Sequence, residues 1–139
     1  MISINNTMTA SIKDSNNNSY VIERFSKMKI YLTHRIKTIG KLFLIDDDEL
    51  LYIIEFTFKI ISTIIKIHQR RFHSMCDCDR FLKIYTISSF WISCKFNIDT
   101  IDDIYAKELQ KYMNINYIEF IKAEIDILIL LNYKLYDYI

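Results

Sequence analysis

The residues best equipped for metal or nucleophilic chemistry sit in one stretch: His68, His73, Cys76 and Cys78. Four nitrogen and sulfur donors are enough for a tetrahedral zinc ion. The Cys-x-Cys spacing, however, is tighter than the roughly two to four intervening residues of zinc sites, and Asp77 and Asp79 add no thiolate. The stretch reads as a polar inter-helix loop with free thiols, so neither a metal nor a cofactor is expected. His34 and Cys94 supply a base and a thiol, but no third group orients them and no oxyanion loop is visible. No catalytic residue is therefore assigned, and the chain is not expected to be an enzyme or to take a small-molecule substrate. The acidic run Asp46 to Glu49 lacks the spaced ligands and central glycine of a calcium loop. It fits the first turn of a helix, where the positive end of the helix dipole favours anions. Lys66, Arg70 and Arg71 suit the opposite end of that helix, and nucleic-acid binding would need a wider basic stripe.

Two charges stand out because their surroundings are apolar. Glu124 lies about 140° around a helical wheel from Glu119, away from the face shared by Glu119, Lys122 and Asp126. It points among Tyr117, Ile121, Ile125, Leu128 and Leu131, where an unpaired carboxylate is costly. Lys95 follows Ser93 and Cys94 at the end of a strongly apolar helix, a position the helix dipole favours for a cation. The two are expected to pair across helices. Such a pair can serve structure as readily as function.

Five helices must position these residues. The first is expected from about Tyr20 to Lys37, with Ser19 as N-cap and Gly40 available to close it. The second runs from Asp47 to about Gln69. Its Tyr52, Glu55, Lys59, Ser62 and Lys66 share one face, so the apolar run from Leu50 to Ile67 is a buried helix of a bundle and not a membrane span. The third, Cys78 to Phe96 with Asp77 as cap, is apolar nearly all round and is the expected centre. Its Ser88, Ser89, Ser93 and Cys94 are small enough to let neighbours approach. The fourth runs from Ile101 to Met113, capped by Thr100, and the fifth from Asn116 to Leu131, capped by Asn114 or Asn116. No stretch shows the period-two pattern of a strand. The expected fold is thus an all-α, compact five-helix bundle around a central apolar helix.

Composition agrees. In 139 residues, 51% are apolar, 25% are charged, glycine occurs once and proline is absent. That is a globular composition for one domain over residues 19–139, preceded by an Asn/Ser-rich tail, residues 1–18, that reads as disordered. The bias toward Ile, Asn, Lys and Tyr fits an AT-rich coding sequence and carries no functional information. A net charge of +1 argues against a charge-driven nucleic-acid binder. Three cysteines and a polar N-terminus without a signal-peptide core point to a reducing, intracellular location, in cytoplasm or nucleus.

The run Ser88–Ser89–Phe90–Trp91–Ile92–Ser93–Cys94–Lys95–Phe96 resembles the third helix of the cyclin box, which ends in Ala-Ser-Lys followed by Tyr or Phe. Ala123 to Leu135 resembles the fifth, where a glutamate precedes an apolar run and a Leu-x-Phe/Tyr-x-Leu ending. Lys95 and Glu124 are 29 residues apart, similar to the corresponding cyclin pair. Ile104–Tyr105–Ala106–Lys107 and Leu130 to Leu135 resemble the short P-type cyclins. The resemblance spans about Tyr20 to Tyr138 and is most specific from Phe81 to Leu135. It implies a single cyclin-box domain that binds, and activates, a cyclin-dependent-kinase-like protein kinase through Lys95 and Glu124. Ser93, Phe96 and Ile121 lie near the same helix ends and are secondary kinase-binding candidates. The chain departs from the family where Asn97 and Ile98 replace an acidic pair, in the missing first-helix tryptophan, and in having no match to the first-helix substrate-docking motif. The alternative is a helical interaction module that does not activate a kinase, such as a transcription-factor-like cyclin fold or a viral adaptor. Burial of the pair in the core would favour that alternative, and exposure at a rim would favour the kinase reading.

Overall fold

The computed structural model describes the backbone of residues 2–67, 78–98 and 101–138, with side chains from Val21 onward except at 78, 136 and 138. Among the described residues there are five α-helices: α1 (Ile2–Leu42), α2 (Asp47–Ile67), α3 (Cys78–Asn97), α4 (Ile104–Met113) and α5 (Tyr117–Leu130). A 3-10 turn, Leu135–Tyr138, comes last. No strand occurs among the described residues.

α3 is the centre of the bundle and packs against α1, α2 and α5. Leu82 and every residue from Ile84 to Cys94 are buried, as expected of a helix apolar on all sides. Its buried serines do two jobs. They keep the helix thin, and each hydroxyl finds a main-chain acceptor, so none is a costly orphan. Ser93 donates across to the Ile53 carbonyl of α2 at 3.1 Å, Ser88 to the Phe120 carbonyl of α5 at 3.4 Å, and Ser89 to the Tyr85 carbonyl of its own helix at 2.7 Å. Phe56, Phe90 and Phe120, all fully buried, fill the space between the three helices.

α2 presents its polar face as the sequence pattern expects. Tyr52, Glu55, Lys59, Ser62 and Lys66 are exposed, and Asp47, Asp48 and Glu49 occupy its first turn. Among the described residues no helix is long and apolar enough to cross a membrane. α4 begins at Ile104, three positions later than expected, because Asp102 accepts the Ile104 amide in a turn that precedes the helix. Asn114 closes α4 in a left-handed conformation, and Asn116 caps α5 by accepting the Ile118 amide at 2.8 Å. The proposed caps Asp77 and Thr100, and the residues 68–77 that hold His68, His73 and Cys76, lie outside the described residues, as does the Cys78 side chain.

α1 differs most from its expected bounds. It is helical from Ile2, through the stretch read as a disordered tail, and it passes Gly40 to end at Leu42. Gly40 does not close the helix. It is buried within it, and a Cβ built there would collide with the Leu50 side chain. The missing side chain admits α2, and its conformational freedom is unused. The left-handed position falls instead on Leu44, whose φ is 60° and whose side chain is 88% exposed. The Ile45 amide then returns to the Gly40 carbonyl at 3.0 Å, the bonding pattern of a left-handed helix ending. A leucine there costs about 1–2 kcal/mol that glycine avoids.

Arg24 fastens α1 to the start of α3. Its guanidinium makes a two-point contact with the Asp79 carboxylate, with Nε to Oδ1 at 3.0 Å. The Arg24 hydrogen bond holds the Asp79 pKa below its ordinary value, with burial opposing and the Arg24 charge adding to the shift.

Two measurements check these points. Gly40→Ala is expected to lower Tm, because overpacking against Leu50, on the order of 1–3 kcal/mol, outweighs a gain in helix propensity of about 1 kcal/mol. Leu44→Gly is expected to raise Tm by relieving the left-handed leucine, and thermal melts of both variants decide. A carboxylate with a depressed folded-state pKa contributes stability above its unfolded value, and that contribution is lost as pH falls through the folded value. The small stability gap between the wild type and Arg24→Met should therefore be constant near neutrality. It should close below about pH 3.8, the ordinary Asp value. A gap that persists at lower pH would contradict the pairing.

Candidate protein-docking site

The two charges singled out in the sequence meet. Lys95, in the last turn of α3, forms an ion pair with Glu124 of α5. α5 turns Phe120, Ala123, Glu124, Ile127 and Leu131 inward, one stripe at helical spacing. The expected surroundings of Glu124 need correction, since Tyr117 and Ile125 face solvent. Apolar residues lie on both sides of the Glu119–Lys122 face of α5, so a wheel alone does not say which apolar side meets the core. Glu124 lies on the core stripe, and that is why it requires a cation.

The pair is asymmetric. The Glu124 side chain is 11% exposed, that of Lys95 41%. The carboxylate is set into the bundle and the lysine covers it from a solvent-facing rim. The Lys95 ammonium also lies 5.7 Å from the Trp91 ring centroid, within cation–π range. Desolvation lowers the Lys95 pKa from its ordinary value, and the Asp103 carboxylate acts against that shift.

Phe96 extends the rim. It is 40% exposed and stacks on Phe56 of α2 with ring centroids 5.5 Å apart and planes at 26°. Tyr52, one turn earlier on α2, continues the aromatic row at 6.4 Å from Phe56. Asn97 ties off the end of α3 by donating to the Ser93 carbonyl at 2.8 Å. The rim therefore offers a cation, a half-exposed phenyl ring and a tyrosine.

The secondary candidates separate. Phe96 is available at the rim, and Ile121 is half-buried against the core. Ser93 is fully buried and bonded to the Ile53 carbonyl, so it cannot touch a partner. Its small size serves helix packing, which also explains why it precedes the lysine. His34 is exposed while Cys94 is fully buried. Burial pushes the Cys94 thiol far up, with the Glu49 charge adding to it, so it stays protonated and is no nucleophile.

Three interactions went unforeseen. Arg80 donates to both Glu119 oxygens, at 2.9 and 2.7 Å, and joins the start of α3 to α5. The Tyr85 hydroxyl donates to Asp126 at 2.5 Å, so Asp126 is half-buried and not on a fully solvated face. The Phe56–Phe96 stack joins residues 40 apart in sequence, which no local periodicity reveals. Tyr85 repeats the signal that identified Lys95, a polar atom on an all-apolar helix that needs a partner.

No family model, curated protein or solved structure matches the chain.

The asymmetry of the pair sets an order of stability losses. Lys95→Met leaves an enclosed carboxylate unpaired and is expected to cost about 2 kcal/mol, whereas Glu124→Gln frees a lysine that reaches water and should cost under about 1 kcal/mol. Urea unfolding of both single variants and the double variant measures this, and a reversed order would mean that the lysine is the enclosed partner.

Proposed function

We propose that this chain is a cyclin-like regulatory subunit that binds a cyclin-dependent-kinase-like protein kinase through the rim around Lys95 and Glu124 and biases it toward its active conformation. The observation that carries the reading is the Lys95–Glu124 pair, formed across α3 and α5 and open to solvent on its lysine side. A pair that only secured the core would gain nothing from an exposed cation beside an exposed phenyl ring. The resemblance of the α3 and α5 sequences to the third and fifth cyclin-box helices gives the partner's class.

The mechanism is conformational. A kinase transfers phosphate only when its own lysine–glutamate ion pair is assembled, and that depends on the position of its regulatory αC helix. A subunit that binds the assembled arrangement more tightly shifts the kinase toward it by the difference in affinity. Phe96 and Tyr52 would bury against the partner's apolar surface. Lys95 would meet an acidic or carbonyl group there while still neutralising Glu124.

Co-purification of the tagged chain from its native cell, with the partners identified by mass spectrometry, tests this. A protein kinase should accompany the wild type and be lost from a folded Lys95→Ala/Glu124→Ala variant, and its activity should rise when the purified wild-type chain is added. A kinase that is bound without a rise in activity would indicate the non-activating interaction module. Absence of a kinase from both samples would leave the pair a structural one.

A further inference from the structure

A second surface lies along the seam between α1 and α2. The seam opens into a cleft of about 220 Å³ beside the turn joining the helices and another of about 450 Å³ further along, and Ile54 lines both, so they form one groove. Its α1 wall carries Lys29, Thr33, Lys37 and Lys41, spaced by four and therefore stacked along one helix face. Among the described residues none of the three lysines has a carboxylate at ion-pair distance. Lys29 lies 5.1 Å over the Phe58 ring. Ile54 and Phe58, each only 7% exposed, form the floor, and Leu51 stands 53% exposed at the edge. The α2 wall, with Asp47, Glu55 and Lys59, is close to neutral.

We infer that this groove docks an acidic amphipathic helix from a partner protein. Lys29 to Lys41 spans about 18 Å of α1. A helix lying alongside with a carboxylate every fourth residue repeats at the same interval, and apolar residues on its adjoining stripe meet Leu51, Ile54 and Phe58. This is the helix-in-groove mode of recognition, with charge complementarity setting orientation. A nucleic acid fits less well, because a phosphate backbone would leave exposed Leu51 uncovered, whereas Asp47 and Glu55 oppose either anionic partner equally. The groove contains neither Lys95 nor Phe96. Phe56, which carries Phe96, lies about 160° around α2 from Ile54 and Phe58, so the Lys95–Phe96 end of the rim is clear of the groove, whereas Tyr52 shares a face with Glu55 of the groove wall. The inference does not depend on the kinase reading.

The probe is a fluorescein-labelled synthetic peptide of about 16 residues in which leucines repeat at three- and four-residue intervals and glutamates occupy the flanking positions. A scrambled peptide of the same composition and a mixed-sequence DNA duplex serve as competitors. Fluorescence anisotropy with the full chain should show saturable binding of the patterned peptide. Binding should weaken at least about tenfold for the scrambled peptide, for Lys37→Glu/Lys41→Glu and for Leu51→Asp. Lys95→Ala/Glu124→Ala should leave it unchanged. All the substitutions in the groove are at exposed positions, and circular dichroism confirms that each variant is folded. No saturable binding, equal affinity for the scrambled peptide, indifference to the lysine reversal, or tighter binding of the DNA than of the peptide would each overturn the inference.

Discussion

The constraint on which the bundle depends is that the middle of α3, Ile84 to Cys94, is buried on every side and yet carries hydroxyls. That stretch has no solvated face on which to place hydroxyls; its three serines find carbonyls within the protein, whereas the Thr86 hydroxyl is buried without a hydrogen-bond partner among the described residues. Ser88 and Ser93 find theirs on different neighbours, α5 and α2. The same hydroxyls therefore set the spacing of α3 to both helices, and their small volume lets the large rings of Phe56, Phe90 and Phe120 occupy the interior. Longer side chains at Ser88 or Ser93 would push α2 and α5 outward and separate the residues of the docking rim.

Around this axis the ion pairs lie toward the ends of α3 and on its outer surface. Arg24–Asp79 and Arg80–Glu119 fasten its beginning to α1 and α5, and Lys95–Glu124 fastens its end to α5. Pairs as exposed as the first two add little stability. Their value is orientational: they fix how α1 and α5 are turned against α3. The third is set deeper at its carboxylate, and its lysine reaches solvent.

Much of this was legible in the sequence. The five helices, the central place of α3, the polar face of α2 and the meeting of Lys95 with Glu124 all follow from helical periodicity and from the cost of enclosing a lone charge. What escaped was information that periodicity does not hold. Gly40 looked like a helix ending because glycine favours left-handed backbone, but its use here is to make room for Leu50, while Leu44 takes the left-handed position. Asp126 looked solvated because it shares a face with Glu119 and Lys122. The hydroxyl that reaches it comes from Tyr85, on another helix. Ser93 is close to Lys95 in sequence, yet two residues turn the helix by about 200°, which puts Ser93 in the core and Lys95 at the rim. The lysine row of α1 is regular in sequence, but its role as the wall of a groove depends on where α2 lies.

The Phe96–Phe56 stack has a further consequence. Association normally forfeits the rotamer freedom of each side chain it immobilises, on the order of 0.5–1.5 kcal/mol apiece. Phe96 is already held against Phe56, and Lys95 is already held by Glu124 and close to Trp91. That conformational freedom has been given up during folding, before any partner arrives. Any contact made at such a rim would forfeit less side-chain freedom than one made at unrestrained side chains.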